Sequence, residues 1–309
     1  MQRKSKNFLL MVIFLLLAVL LCASQSGSQE EKVLQAEETA ESIFSSQLQV
    51  GGSDVLTEPL VSLQEELQEM LAARKAQWSV TVVDLECLQM LVCDNAGTAA
   101  EETVAASLIK LYILATACEQ IESGALPETA ALQSHLYDMI VYSSNEDANA
   151  VLRVIGEGDT AHGMGRVNDW CRLQGYTATR INRRLGITAY SEENYTSAVD
   201  CAHLLTAIAT GTCVSAEQSQ YMLSLLQKQT LTWKIPAGIP RQSGVRIGNK
   251  TGELANLAEH DAAIVIGSDL RYVLCVLCEY PGRETDAVET IAEISACVYR
   301  SFSEAADKS

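Results

Sequence analysis

The sequence predicts an α+β fold, in which an antiparallel sheet formed from both chain termini is flanked by helices and accompanied by a mostly helical second lobe. Strand-like patterns occur at residues 79–84 and 89–93, and again at 244–251, 261–268 and 271–279. Helical periodicity fills the chain between these two groups. With 309 residues, 48% of them hydrophobic, the chain can bury a substantial core.

The N-terminal residues have the pattern of an export signal. Arg3, Lys4 and Lys6 precede an uninterrupted apolar run from Phe8 to Ala23. We therefore expect residues 1–23 to be a signal peptide or membrane anchor, which would place the protein outside the cell or on the outer face of the cytoplasmic membrane. Residues 24–58 are rich in Gln, Glu, Ser and Gly with little periodicity, which predicts a flexible acidic spacer.

Residues 59–302 carry the predicted domain, and residues 303–309 follow it as a tail. Leucines at helical spacing predict a first helix from Pro59 to about Lys75. The helices predicted for the second lobe lie at about 107–122, 129–141, 146–155, 163–174, 196–209 and 215–228. A closing helix is predicted from Asp286 to Phe302. Active sites are common where two such lobes meet.

Composition argues against several classes of partner. The formal net charge of −17 is the opposite of the basic surface that nucleic-acid binding needs. Ten cysteines spread over the whole chain are unlike a dense disulfide framework and indicate small core residues. The four histidines show no metal-ligand spacing. We expect a monomer without cofactor, metal or nucleic acid, which contacts a membrane only through its N-terminal segment.

A lysine stands in an otherwise apolar segment, A-A-S-L-I-K-L-Y-I-L, from Ala105 to Leu114. In a helix, Lys110 lies on the same face as Ser107, one turn away. A buried ammonium is costly unless it is paired or loses its proton, and a neutral amine could accept the proton of the serine hydroxyl. The backbone N–H groups of a helix N-terminus would stabilise an oxyanion there. The alternative is a structural lysine whose ammonium reaches water.

Two further motifs follow in a fixed order. The chain reads Y-S-S-N-E-D-A-N from Tyr142 to Asn149 and N-K-T-G-E-L from Asn249 to Leu254. S-x-x-K, then S-x-N, then K-T-G resembles the motif set of class A β-lactamases and penicillin-binding proteins. The resemblance extends from about Pro59 to Phe302 and includes K-I-P-A-G-I-P (234–240) and H-D-A-A-I-V (260–265).

The resemblance implies catalytic roles for three side chains. Ser107 would be the nucleophile, and Lys110 its general base or proton relay. Ser143 would pass the proton to the departing nitrogen.

The resemblance also implies a substrate-binding set. Asn145 would bind Lys110 and the amide side chain of the substrate, while Lys250 and Thr251 would receive the substrate carboxylate. Gly252 would let the substrate lie close to its strand. The backbone N–H groups of Glu253 and Ser107 would form the oxyanion hole.

The chain departs from class A β-lactamases in the loop that follows the helical lobe. Counting from Arg180 in T-R-I-N-R-R-L-G, the place of the glutamate that activates water is held by Asn182. An amide cannot remove a proton from water, so deacylation could be slow. Otherwise Glu192 or Glu193 would have to fold back into the site. Ser144 also replaces the aspartate usual in the second motif.

Three functions therefore stay open. The leading one is an exported active-site-serine hydrolase that opens β-lactam rings through an acyl-enzyme on Ser107. The second is a D-Ala-D-Ala peptidase acting on peptidoglycan peptides, and the third is a penicillin-binding sensor that stays acylated. His260 beside Asp261 is expected to be structural, because no G-x-S-x-G motif accompanies it. Asn149 is expected to hold a neighbouring loop.

Overall fold

The computed structural model describes residues 49–50, 57–187 and 191–307. The predicted leader, residues 1–23, and most of the predicted spacer lie outside this range. Within the spacer, Gln49–Val50 form a two-residue strand, β1. None of the helices described is long and apolar enough to cross a membrane.

The main sheet has six strands in the order β1-β3-β2-β8-β7-β6. Its longer strands are β2 (Gln77–Asp84), β3 (Gln89–Asp94), β6 (Arg246–Leu254), β7 (Ala258–Ile266) and β8 (Arg271–Glu279). These five pair antiparallel, whereas β1 pairs parallel with β3. The predicted α+β fold, with a sheet built from both ends of the chain, is confirmed. The short parallel pair is an addition that the sequence pattern does not predict.

Eight α-helices surround this sheet or form the second lobe in the described chain. They are α1 (Glu58–Ala72), α2 (Ile109–Glu122), α3 (Ala130–Val141), α4 (Asn145–Ile155), α5 (Thr160–Leu173), α6 (Ala198–Thr210), α7 (Ala216–Leu226) and α8 (Glu284–Ala306). Most ends lie within three residues of the predicted ones. The last helix is longer than predicted and runs through Ala306 into the predicted tail.

The two outermost helices cover one face of the sheet. Leu60, Leu63, Leu67 and Leu71 of α1 recur at helical spacing and are buried against the sheet and α8. Burying each such leucine contributes about 2 kcal/mol. Alternate residues of β2, such as Val80, face this cluster. Helix α6 contacts β2, β7 and β8 from the other face.

Helix α2 is the centre of the helical lobe. Its residues from Ile109 to Cys118 are all buried, and a helix that is apolar on every side needs neighbours all round. Helices α4, α5 and α7 supply those contacts. One of the buried residues is Lys110, whose exposed fraction is 0%. The lysine is therefore enclosed at the junction of sheet and helical lobe.

The cysteines are not used as cross-links in the part of the chain that the structure describes. All nine that it covers are free thiols, and every one except Cys87 is buried. Cys275 and Cys278 lie three residues apart on β8 and so point to opposite faces. This agrees with their predicted role as core residues.

Candidate active site

Ser107 does not lie in the first turn of an α-helix, as the sequence predicts, but in a 3-10 turn, Ala106–Leu108, that leads into α2. The residue before it, Ala106, has a left-handed backbone with φ 45°. Left-handed backbone is costly for alanine and persists only where the surroundings enforce it. Here the N–H of Ala105 donates to the carbonyl of Asn194 at 2.7 Å and fixes the entry to the turn.

His260 fixes the same segment from the sheet side. Its Nδ1 accepts from the backbone N–H of Cys278 at 3.0 Å, so the proton is on Nε2, which donates to the carbonyl of Val104 at 2.7 Å. Burial lowers the pKa of His260 to about 4. Asp261 instead accepts from Asn249 and Ile235. The predicted structural role is confirmed, and a Ser-His-Asp triad is excluded for this pair.

Gly252 brings the K-T-G strand against the serine segment. A Cβ atom at this position would lie 3.2 Å from the carbonyl oxygen of Ala105 and 3.2 Å from Cγ of Leu108. The missing side chain therefore allows the segment that carries Ser107 to pack against this strand. That Gly252 also makes space for substrate stays a prediction.

Lys110 is at the centre of the polar contacts. Its Nζ lies 2.8 Å from Oγ of Ser107, 2.7 Å from the carbonyl oxygen of Ser143 and 2.7 Å from Oδ1 of Asn145. Carbonyl and amide oxygens can only accept, so they take two amine protons. The third short contact joins Nζ to Oγ of Ser107, where a charged lysine donates a hydrogen bond and a neutral one can accept the hydroxyl proton. The three shortest contacts thus match an uncharged lysine that accepts a proton from serine.

Ser143 connects this lysine to a second one. It lies between α3 and α4 with a left-handed φ of 58°, which turns its carbonyl toward Lys110. Its Oγ is 2.8 Å from Nζ of Lys250 and 3.3 Å from Nζ of Lys110. The neighbouring Ser144 caps α4 by accepting from the N–H of Asp147. Of the two serines, only Ser143 hydrogen-bonds to these two lysines.

Both buried lysines have pKa values below the ordinary one for lysine. Burial and the positive charge of Lys250 lower the pKa of Lys110 to about 6. Burial lowers the pKa of Lys250 to about 7, although Asp261 and Glu253 oppose this shift. At neutral pH Lys110 is therefore mostly uncharged, which is the state that can act as a base.

A cavity of about 250 Å³ opens in front of this cluster. Ser107, Asn145 and Glu253 line it, together with loop residues that include Glu193. The other predicted site residues stand behind it: Lys110, Lys250 and Thr251 are buried, and the carbonyl of Thr251 accepts from Nζ of Lys250 at 2.8 Å. The structure thus places all eight predicted residues at one junction, while their individual roles stay predictions.

The side chain of Glu253 is held by a lysine that sequence reasoning missed. Nζ of the fully buried Lys234 lies 3.1 Å from Glu253 and 2.6 Å from Glu259. The carboxylate next to the predicted oxyanion hole is therefore partly neutralised. The apolar stretch I-P-A-G-I-P that follows Lys234 could have indicated a buried lysine, as the apolar neighbours of Lys110 did.

The loop after the helical lobe is closed by an antiparallel bridge between Arg180 and Tyr195. Within it, Nδ2 of Asn182 donates to the carbonyl of Glu193 at 2.7 Å, and Asn182 is not among the residues that line the cavity. Asn149 exchanges two hydrogen bonds with the backbone of Leu185, which confirms its predicted role in holding this loop. Glu193 does fold back into the site, while Glu192 is exposed.

No group of three or more metal-binding side chains occurs among the described residues. The chemistry that this arrangement can perform is acyl transfer, since a serine hydroxyl, a neutral amine, a second hydroxyl and a second cation follow one another within hydrogen-bond distance.

Several solved structures share this architecture. PBP-A superposes with a TM-score of 0.68 at 23% identity, covering 79% of this chain and 97% of that one. A β-lactamase from Sphaerobacter thermophilus gives 0.66 at 19% identity, covering 79% and 97%. A class A β-lactamase of the last common ancestor of Gram-negative bacteria gives 0.66 at 20% identity, covering 77% and 99%. At these identities the similarity shows the fold.

Curated proteins provide no match to the sequence. The model of the β-lactamase enzyme family matches residues 127–302, more than half of the chain. This span contains the S-x-N and K-T-G segments and ends within α8. The chain therefore belongs to the β-lactamase enzyme family.

Proposed function

We propose that this protein is an active-site-serine hydrolase that opens β-lactam rings through an acyl-enzyme on Ser107. The observation that carries the proposal is the 2.8 Å contact between Oγ of Ser107 and Nζ of Lys110, an amine that burial keeps mostly uncharged at neutral pH. Support from a relative comes from a variant of PBP-A, which has been solved as its acyl-enzyme complex with penicillin G.

In the proposed acylation, Oγ of Ser107 attacks the lactam carbonyl while its proton passes to Lys110. The C–N bond of the ring then breaks, and the nitrogen takes a proton from Ser143, which recovers it from Lys110 over the 3.3 Å contact. Lys250 holds Ser143 at 2.8 Å and, when charged, offers a cation to the substrate carboxylate. N–H groups of Ser107 and Glu253, two residues that line the cavity, would stabilise the tetrahedral oxyanion.

Intact mass spectrometry tests this proposal. The full chain is incubated with benzylpenicillin, and the mass of the protein and the loss of lactam are followed together. We expect an adduct of one penicillin in the wild type and in Ser123→Ala, a matched change of an exposed serine at the other end of α2. Ser107→Ala should show no adduct. A wild type that gives neither adduct nor turnover would refute the proposal.

A second candidate function is cleavage of a D-Ala-D-Ala peptide by the same serine. The observation in its favour is the sequence of the loop: Asn182, at the place that the family resemblance gives to the water-activating glutamate, is an amide, and it lies outside the lining of the cavity. Incubation with an N-acylated D-Ala-D-Ala peptide, with release of D-alanine as the readout, distinguishes the two. A peptidase should turn over this peptide faster than penicillin, a sensor should turn over neither, and a β-lactamase should prefer penicillin.

We also propose, from the N-terminal sequence alone, that the protein is exported. The basic residues and apolar run of residues 1–23 support this. Fractionation of bacteria that produce the full chain, beside a form that lacks residues 1–23, tests it. Recovery of both forms in the cytoplasm would contradict export.

A further inference from the structure

Glu253 brings to the cavity a carboxylate that the acylation chemistry does not use. It lines the same cavity as Ser107, and its side chain is 41% exposed. Its Oε1 lies 3.1 Å from Nζ of Lys234, and no other side chain in the described part of the chain pairs with this carboxylate. A carboxylate with this exposure can meet a charged group on a bound substrate.

Lys234 compensates only part of this negative charge. Strand pairing sets Glu253 directly opposite Glu259, and Nζ of Lys234 also lies 2.6 Å from Glu259. That contact favours the ionised form of Glu259, against the burial that raises its pKa. One ammonium therefore faces two carboxylates. The side chain of Glu259 is only 8% exposed, so Glu253 is the member of this cluster that carries the remaining negative charge to the cavity.

The other charged side chains that line the cavity in the described chain cancel each other. Arg183 binds Glu193 through Nε at 2.9 Å and a terminal nitrogen at 2.7 Å. Their loop is joined to the serine segment by the short strands β4 (Thr103–Val104) and β5 (Tyr195–Thr196), which pair antiparallel. Among the residues that line the cavity, Glu253 is therefore the one whose charge is not fully compensated.

The position of Glu253 on β6 indicates which part of a substrate it would meet. Lys250 and Thr251 are the predicted site for the substrate carboxylate, and the N–H of Glu253 is predicted to bind the oxyanion. At about 3.3 Å per residue, Glu253 lies about 7–10 Å further along the strand than these two residues. A substrate that lies along the strand would therefore place the group on its acyl side next to Glu253 and Leu254, which both line the cavity.

The charge of Glu253 also acts on the cluster behind the cavity. Burial lowers the pKa of Lys250 to about 7, and the carboxylates of Asp261 and Glu253 act in the opposite direction. A carboxylate that stabilises positive charge on Lys250 lies near enough to act on a substrate bound beside that lysine.

We propose that Glu253 makes this site select substrates that carry an ammonium group on the acyl side of the bond to be broken, and disfavour substrates that carry a carboxylate there. The proposal rests on the proposed function, since it concerns the substrate of that acylation. An ammonium gains an ion pair with Glu253, whereas a carboxylate is repelled. For a peptide substrate, the same preference calls for a free amino group ahead of the scissile bond.

Three penicillins that differ at one carbon test this selectivity. Benzylpenicillin is uncharged between its phenyl ring and the side-chain amide, ampicillin adds an amino group there, and carbenicillin adds a carboxyl group. At pH 6.5 both added groups are charged. The second-order rate constant of acylation is measured for each, as kcat/KM where lactam is turned over and as adduct formation by intact mass where it is not. The ring carboxylate is common to all three, so an effect through Lys250 changes them alike.

Glu253→Gln keeps the size of the side chain and removes its charge. We expect the ratio of the rate constants for ampicillin and carbenicillin to fall by about threefold to tenfold in this variant, the range for exposed ion pairs. Glu253→Asp keeps the charge and should keep most of the preference. Glu69→Gln removes the same charge from an exposed position on α1, outside the cavity, and should leave the ratio unchanged.

Ionic strength gives a second measurement that needs no variant. Between about 0.1 M and about 1 M salt, the screening length falls from about 10 Å to about 3 Å. The wild-type ratio of ampicillin to carbenicillin should therefore decrease with salt. This series takes the place of Glu253→Gln if circular dichroism shows that the variant does not fold.

Three outcomes would overturn the role of Glu253 while leaving acylation established. These are a ratio that is the same in wild type and Glu253→Gln, a loss of rate that is equal for all three penicillins, or a wild-type ratio that salt does not change. Absence of adduct and turnover with every penicillin would instead remove the proposed function itself.

Discussion

Lys110 and Lys250 are two amines that need opposite charge states for the proposed chemistry. Lys110 must be neutral to accept the proton of Ser107, whereas Lys250 must be charged to bind a carboxylate. Their contacts with the hydroxyl of Ser143, at 3.3 and 2.8 Å, place them side by side. A positive charge on one therefore disfavours a positive charge on the other.

The rate of acylation should therefore have a narrow optimum in pH. It should rise as Lys110 loses its proton around its pKa of about 6 and fall as Lys250 loses its own around about 7. Stopped-flow measurement of kcat/KM for a chromogenic cephalosporin from pH 5 to 9 checks this. Lys250→Met should lose the upper limb of the profile. Its lower limb should move to higher pH, because Lys110 loses its cationic neighbour. The pKa of Lys110 should nevertheless stay below the ordinary 10.5, because the side chain remains buried. A flat profile would contradict the need for a neutral Lys110 beside a charged Lys250.

Most of the residues of the candidate site could be predicted from the sequence. The order of three motifs grouped Ser107, Lys110, Ser143 and Lys250 because together they resemble the motif set of a known family. Lys110 also stood out by its apolar surroundings. The ion pairs of Lys234 were not predicted, since its partners Glu253 and Glu259 are distant in sequence and are brought together by strand pairing. Which of Glu192 and Glu193 turns inward also depended on a register that no local pattern records.

The loop from Arg180 to Tyr195 is held by side chains of neighbouring helices, and one of them fixes the segment just before it. Asp200, in the first turn of α6, accepts from the N–H of Ala178 at 3.1 Å and from Oγ1 of Thr179 at 2.6 Å. Burial raises the pKa of Asp200 to about 6. These bonds fix the chain just before the loop begins.

Asp200→Ala should lower the free energy of unfolding by about 1–3 kcal/mol, because the buried N–H of Ala178 loses its acceptor. Urea denaturation at pH 7 measures this, and Asp200→Asn, which keeps an acceptor oxygen, should recover part of the loss. Asp169→Ala, at an exposed ion pair on α5, serves as the matched control and should change stability by less than about 0.5 kcal/mol. Equal effects of the two alanine variants would argue against an anchoring role.

The helices and long strands could be predicted because their apolar periodicity extends over several turns or residue pairs. The two-residue strands β4 and β5 could not, since two residues carry no period. The 3-10 turn at Ser107 was predicted as helix for a related reason: sequence periodicity cannot show that Ala106 adopts a left-handed backbone.

At the scale of the whole molecule, His260 joins three segments that are far apart in sequence. It lies on β7, accepts from β8 and donates to β4, just ahead of Ser107. Its buried ring must stay neutral, and this makes its contribution to stability depend on pH.

Replacing His260 with alanine leaves the N–H of Cys278 and the carbonyl of Val104 without partners and should cost about 2 kcal/mol or more at pH 7. The folded pKa of about 4 lies below the ordinary 6.5, so the unfolded chain binds more protons between these values. The stability that this histidine contributes is therefore present above pH 6.5 and lost as the pH falls toward 4. Urea denaturation of wild type and His260→Ala at pH 7 and pH 5 should show a smaller difference at pH 5. A difference that grows on acidification would contradict this sign.

The general architecture followed from strands at both ends of the chain, but the order of strands did not. Nothing local to residues 77–84 indicates that β2 lies between β3 and β8, because this depends on contacts across almost two hundred residues. The sequence therefore predicted that both ends of the chain contribute strands to one sheet, but it did not predict which strands are neighbours.

That pairing also governs how the molecule can fold. Val80 of β2 pairs with Val276 of β8. The edge of β2 that faces β8 therefore stays unpaired until nearly the entire polypeptide has been synthesised. Bringing such distant partners together costs loop entropy before any hydrogen bond is gained. We therefore expect the helical lobe to form early from local contacts and the sheet to be completed late, so that the site at their junction becomes whole only then.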